Sequence, residues 1–119
     1  MDEVRGPVGE MLRVRVAHVP GAPVVMLSGE IDLSNAAELA AALAPQHGRV
    51  VVDLDDVSFM ECRGIAILVA ARNRLVSDGG SLHLRSPQHQ IRRVFEVLGL
   101  DSWIVDAAHQ SDAVAGTTA

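Results

Sequence analysis

The chain has 119 residues, 49% of them apolar and only 3% aromatic, with a formal charge of −5. That is the size of one domain with a core able to stand without staples. The acidic balance excludes a general nucleic-acid surface, which needs a basic face and stacking platforms. All ten basic residues are arginine, which excludes a P-loop and every lysine-dependent mechanism. The single cysteine cannot close an intrachain disulfide. No stretch reads as a secretory signal or reaches the ~18 apolar residues of a membrane span, so the default location is the cytoplasm.

Residues 1–10 read as a flexible segment. From Met11 to Ala17 apolar residues alternate with Arg13 and Arg15, the pattern of a half-buried strand. Pro20-Gly21-Ala22-Pro23 supplies a turn, and Val24-Val25-Met26-Leu27 a second strand ending at Ser28-Gly29, so the two form an antiparallel hairpin. Asn35 and Glu38 have capping-box spacing, which predicts a helix from there to about Ala44, gripped by Leu39 and Leu43 and closed by Pro45 and Gly48. Val50 to Leu54 is a β-branched run without alternation, suited to a central strand covered on both faces. Asp53, Asp55 and Asp56 then read as solvated turn formers.

From Arg63 onward Ile65, Leu68, Val69, Arg72, Leu75 and Val76 recur at helical spacing until Gly79-Gly80. Ser81 to Arg85 is a further strand with His83 facing solvent, and Ser86-Pro87 is an N-cap followed by a first-turn proline. Ile91, Val94, Phe95 and Leu98 mark a third helix stopped at Gly99-Leu100. Trp103-Ile104-Val105 begins a last strand, Ala107 to Val114 is a candidate terminal helix, and 115–119 a flexible tail. Strands alternating with helices imply parallel pairing through right-handed crossovers. The expected fold class is α/β: a small mixed sheet with an N-terminal antiparallel hairpin and three to four helices packed against it.

Chemistry concentrates at Phe59-Met60-Glu61-Cys62-Arg63-Gly64, where a strand runs through a turn into the longest helix. A helix start presents unpaired N–H groups and the positive end of its dipole. Cys62 there is either a small turn residue or a reactive thiol. A phosphatase-type loop fails because Leu68 stands where its arginine would be. The five histidines show no metal-ligand spacing, so no metal or cofactor is expected. Arg85, Arg92, Arg93 and His89 read as a solvated basic patch around the third helix.

Ser28-Gly29-Glu30-Ile31-Asp32, the Phe59–Gly64 turn, Gly79-Gly80 before a strand, and Val94-Phe95-Glu96-Val97-Leu98-Gly99-Leu100 together resemble the STAS-domain anti-sigma factor antagonists of bacteria. The resemblance runs from about Leu12 to Val114 within an expected STAS domain at 11–114. It implies a regulator of transcription, not an enzyme, that binds an anti-sigma factor of the ATPase/kinase type and so releases a sigma factor. In that family the turn usually reads Asp-Ser-Ser/Thr-Gly, and the first serine is phosphorylated by the partner. Here Glu61 replaces the aspartate, Cys62 the phosphoacceptor and Arg63 the next hydroxyl residue, and only Gly64 is unchanged. The expectation is a constitutively binding-competent antagonist with no phosphate switch at Cys62.

Its partner-binding set is Asp32, Glu61, Cys62, Arg63, Gly64, Ala66, Ile67, Ala70 and Arg74, small and apolar positions on the second helix letting a partner approach closely. A weak homodimer is compatible with this. Other readings are a non-phosphorylated scaffold subunit of a stress-signalling or lipid-transport complex, and a thiol-based redox sensor.

Overall fold

The structure, a computed structural model, describes residues 11–19 and 22–105. The expected segment 1–10, the Pro20-Gly21 turn, the candidate helix at 107–114 and the tail at 115–119 lie outside the described residues. Strands β1 (Arg13–Val19) and β2 (Ala22–Ile31) form the expected antiparallel hairpin. Helix α1 (Ala36–Leu43), strand β3 (Arg49–Met60), helix α2 (Cys62–Ser77), strand β4 (Ser81–Arg85) and helix α3 (His89–Val97) follow. A 3-10 turn (Asp101–Trp103) then leads into the two-residue β5 (Ile104–Val105), so Trp103 precedes the last strand. The sheet order is β1-β2-β3-β4-β5, with β2–β3, β3–β4 and β4–β5 all parallel.

Alternation along the strands decides where the core sits. Val25, Leu27, Val50, Val52, Leu54, Leu82 and Leu84 join one buried cluster with Leu39 and Leu43 of α1, Ile65, Leu68 and Leu75 of α2, and Ile91 and Phe95 of α3. The opposite face, with Ala17, Val24, Met26 and Val51, lies outside that cluster. The described residues therefore form two layers, with α1–α3 on one side of the sheet, so β3 is covered by these helices on one face and not on both as its unbroken apolar run suggests. Helix α2 stops as expected: the Gly80 amide donates to the Leu75 carbonyl at 2.7 Å and the Gly79 amide to Val76 at 3.0 Å, with Gly79 at φ 87°.

Two strands are longer than their sequence suggests. β2 continues through Ser28-Gly29 to Ile31, and the acidic stretch after Leu54 is not a turn but part of β3. Pairing with β2 carries these residues as strand, but only with two irregularities: Leu54 and Asp55 together face Leu27, and Ser58 is extra between Val57 and Phe59. Such insertions leave main-chain groups unpaired. Gln88 donates from Nε2 to the Asp55 carbonyl at 3.0 Å, and Gln90 from Nε2 to the Ser58 carbonyl at 3.2 Å. That arrangement corrects the start of α3. Its N-cap is Gln88, not Ser86, and Ser86 sits at φ 56°, outside the right-handed helical region.

Three smaller readings also change. The capping box does not form, because Asn35 Oδ1 accepts from the Asp32 amide at 2.9 Å and its Nδ2 donates to the Glu30 carbonyl at 2.8 Å, bracing the entry loop. Arg85 is not part of a solvated patch: it donates from Nη2 to Asp53 Oδ2 at 2.7 Å. His83 is half-buried, and its Nδ1 is inaccessible with no partner among the described residues.

Burial first, then the nearby Arg49 and Arg72 charges, hold the His83 imidazole below its ordinary pKa. The unfolded chain then binds the proton more readily than the folded one. Stability contributed by neutral His83 is complete above about pH 6.5 and is lost as pH falls toward the folded pKa. Urea titrations should show stability declining below that pH, with a shallower decline in His83→Gln. Equal slopes in both proteins would refute this.

Candidate functional site

The parallel strands β2 and β3 end side by side; β3 leads directly into α2, and β2 leads into α1 through the short loop 32–35. The Glu61 amide donates to the Ile31 carbonyl at 2.9 Å, tying the two exits together. Glu61 is the N-cap of α2, extended at φ −79° and ψ 166°, with no side-chain cap bond. Its carbonyl accepts from the amides of Gly64 at 2.9 Å and Ile65 at 3.2 Å. Cys62 is thus the first helical residue, and it is exposed and free. The segment is neither unwound nor covered, as a contact platform requires.

Asp32 organises the neighbouring loop. Its Oδ1 accepts from the Ser34 amide at 2.9 Å and the Ser34 hydroxyl at 2.6 Å. The hydroxyl first, helped by the Ser34 and Asn35 amides, holds the Asp32 carboxyl below its ordinary pKa. A fixed anion therefore stands at the end of β2, while Glu61 and the exposed Arg63 stand at the end of β3.

Gly64 is buried, and a β-carbon there would lie 2.7 Å from Ile31 Cγ2 and 3.0 Å from Met60 Cγ. Its part is to let the first turn of α2 lie against the ends of β2 and β3. Behind that turn a shallow groove of about 270 Å³ runs between α1 and α2, lined by Ala40, Leu43, Ala44, Ile67, Ala70, Ala71 and Arg74. Alanines on both helices make the groove, since no longer side chain fills the space between them.

Of the residues expected in the site, the structure brings Ile67, Ala70 and Arg74 together in this groove. Asp32, Glu61, Cys62 and Arg63 sit at the adjoining strand ends, and Ala66 is exposed on α2 outside the groove lining. Arg74 also has an internal task. Its Nη2 donates to the carbonyls of Leu43 at 3.0 Å and Gln46 at 3.2 Å, tying α2 to the turn that ends α1.

Two residues were missed from sequence. Leu33 is 63% exposed in the loop after β2, and Phe59 is 46% exposed near the end of β3, both large apolar side chains beside the Cys62 turn. Phe59 pairs in register with Glu30, next to the extra residue Ser58. The only available signal was an apolar residue flanking a turn, which does not by itself separate a core side chain from an exposed anchor.

A family model described as "Mlab, STAS domain" matches residues 14–106. The chain belongs to the STAS domain family. Among curated relatives, the anti-sigma-B factor antagonist of Bacillus subtilis is 32% identical over 91 residues, covering 74% of this chain and 83% of that one. Among solved structures, an anti-sigma factor antagonist from Mycobacterium paratuberculosis is 27% identical with a TM-score of 0.70, covering 92% of this chain and 96% of that one. The anti-sigma factor antagonist SpoIIAA in its unphosphorylated form shares the fold at a TM-score of 0.67 and 24% identity, covering 87% and 97%. The STAS sheet with its N-terminal hairpin and helices packed against it is the architecture expected from sequence. Among the described residues of this STAS chain no group of His, Cys, Asp and Glu could hold a metal, and no helix is long and apolar enough to cross a membrane.

Proposed function

We propose that this chain is an anti-sigma factor antagonist, a cytoplasmic binding protein that occupies an ATPase/kinase-type anti-sigma factor and thereby frees a sigma factor. The observation that carries the reading is the exposed start of α2, with Cys62 at its first position, opening beside an apolar groove in a fold shared with antagonists. Leu33 and Phe59 act as apolar anchors, Ile67 and Ala70 receive a partner side chain, and Asp32, Glu61 and Arg63 fix its orientation through charge. Burial of a few such anchors, not the whole contact area, sets affinity at an interface of this kind.

Phosphate control at this position is absent in the proposal. A thiol is not the hydroxyl that a serine kinase uses, so the roughly −1.5 to −2 charge that phosphorylation adds to a docking surface cannot be placed on Cys62. Binding is then governed by how much of the antagonist is present.

The test is competition. Each ATPase-type anti-sigma factor of the host is purified in complex with its sigma factor, and the antagonist is titrated in while free sigma factor is measured. Stoichiometric release from one complex is expected. Release from none of them overturns the reading.

A further inference from the structure

Among the described residues no helix packs on the second face of the sheet, which carries two charged ridges on the side away from the groove. Arg13 and Arg15 are exposed on β1, and Asp55 and Asp56 are exposed on β3. Register aligns Arg13 with Ser28 and Arg15 with Met26, and in turn Ser28 with Asp56 and Met26 with Asp53. The ridges therefore run two strand spacings apart, about 10 Å. Between them Ser28 and Met26 lie in a trough of about 140 Å³. Asp53 is already engaged by Arg85 and by the Asp55 amide. Among the described residues Arg13, Arg15, Asp55 and Asp56 form no ion pair.

We propose that this face binds a second copy of the chain. A two-fold axis through the trough sets the arginine ridge of each copy against the aspartate ridge of the other, the self-complementarity that an isologous dimer requires. Ala17, Met26 and Val51, all half-buried, share the same face and form its apolar centre around the buried Val24. A one-ridge partner would leave half of these charges unmatched; an inverted copy matches both.

The size of the face sets the strength. Five strands at about 4.8 Å and some seven residues at about 3.3 Å give about 550 Å² per copy, at the low end for a specific interface. Association is therefore weak and salt-sensitive. The groove lies on the helix side and the Cys62 turn at the strand ends, so a dimer leaves both open; of the proposed partner anchors only Phe59, in register with Glu30, shares the dimer face.

The test is sedimentation velocity on the full chain and two charge-reversed variants, Arg13→Glu/Arg15→Glu and Asp55→Arg/Asp56→Arg, with thermal melts confirming that each is folded. The wild-type chain should dimerise with rising concentration, at least about tenfold more weakly at high salt than at low. Each variant alone should be monomeric, because its two ridges carry the same sign. An equimolar mixture of the two should form a heterodimer tighter than the wild-type dimer. Should either double variant fail to fold, Arg15→Glu and Asp56→Arg make the same comparison singly. A wild-type chain that stays monomeric at low salt, or a mixture that does not associate, overturns the proposal.

Discussion

Alanine at Gly64 is expected to destabilise the domain by about 1–3 kcal/mol, although alanine favours an exposed helix by about 1 kcal/mol over glycine. The added methyl would stand 2.7 Å from Ile31 Cγ2 and 3.0 Å from Met60 Cγ. Ile31 is fully buried and branched at its β-carbon, so its methyl group cannot swing aside. Either α2 lifts from the strand ends or Ile31 is forced off its rotamer. In a domain of this size, each 1 kcal/mol lost lowers Tm by about 4–8 °C. Ile31→Leu removes the crowding methyl, so the double variant should lose less than the two single losses added. Full additivity, or a Gly64→Ala protein more stable than wild type, would show that the close approach is not what requires glycine here.

Glutamate at Ala70 is expected to abolish partner binding, by at least about 100-fold, while leaving the fold within about 0.5 kcal/mol of wild type. Ala70 is exposed on α2 and lines the apolar groove with Ala40 of α1 and Ala44 at its C-cap. In the free protein a carboxylate there stays in water and costs little. In a complex it is either buried without a partner or holds the two surfaces apart. Calorimetric titration against the anti-sigma factor, paired with urea unfolding, separates the two effects. Retained affinity in Ala70→Glu would place the docking surface elsewhere.

Where local pattern and tertiary role coincide, the fold is legible in the sequence. The alternation around Arg13 and Arg15, the helical spacing from Ile65 to Leu75 and the Gly79-Gly80 stop all appear as read. Legibility ends where a neighbour overrides local preference. Asp53, Asp55 and Asp56 are poor strand residues, yet pairing with β2 keeps them in β3, and Gln88 and Gln90 serve the carbonyls its irregularities release. Nothing in the order of residues announces that glutamines more than 30 positions away complete a strand. Asn35 has the right spacing for a cap but is drawn into bracing the loop after β2.

The candidate site follows the same division. Cys62 is recognisable from its place before a periodic helix, and Gly64 from the family resemblance, but the reason for glycine is visible only against Ile31. Ile67, Ala70 and Arg74 share a helix face by spacing alone, whereas the groove they line needs α1 alongside. Leu33 and Phe59 were not foreseen, because exposure of an apolar residue depends on what does not cover it.

The central claim is that the start of α2 is a docking platform on which the proposed kinase-type anti-sigma factor can place no phosphate. Its most direct test incubates the wild-type chain with its anti-sigma factor, ATP and magnesium, followed by intact mass measurement and size analysis of the mixture. The account predicts a stoichiometric complex that persists while the antagonist keeps its unmodified mass. A phosphorylated antagonist released from its partner would contradict it.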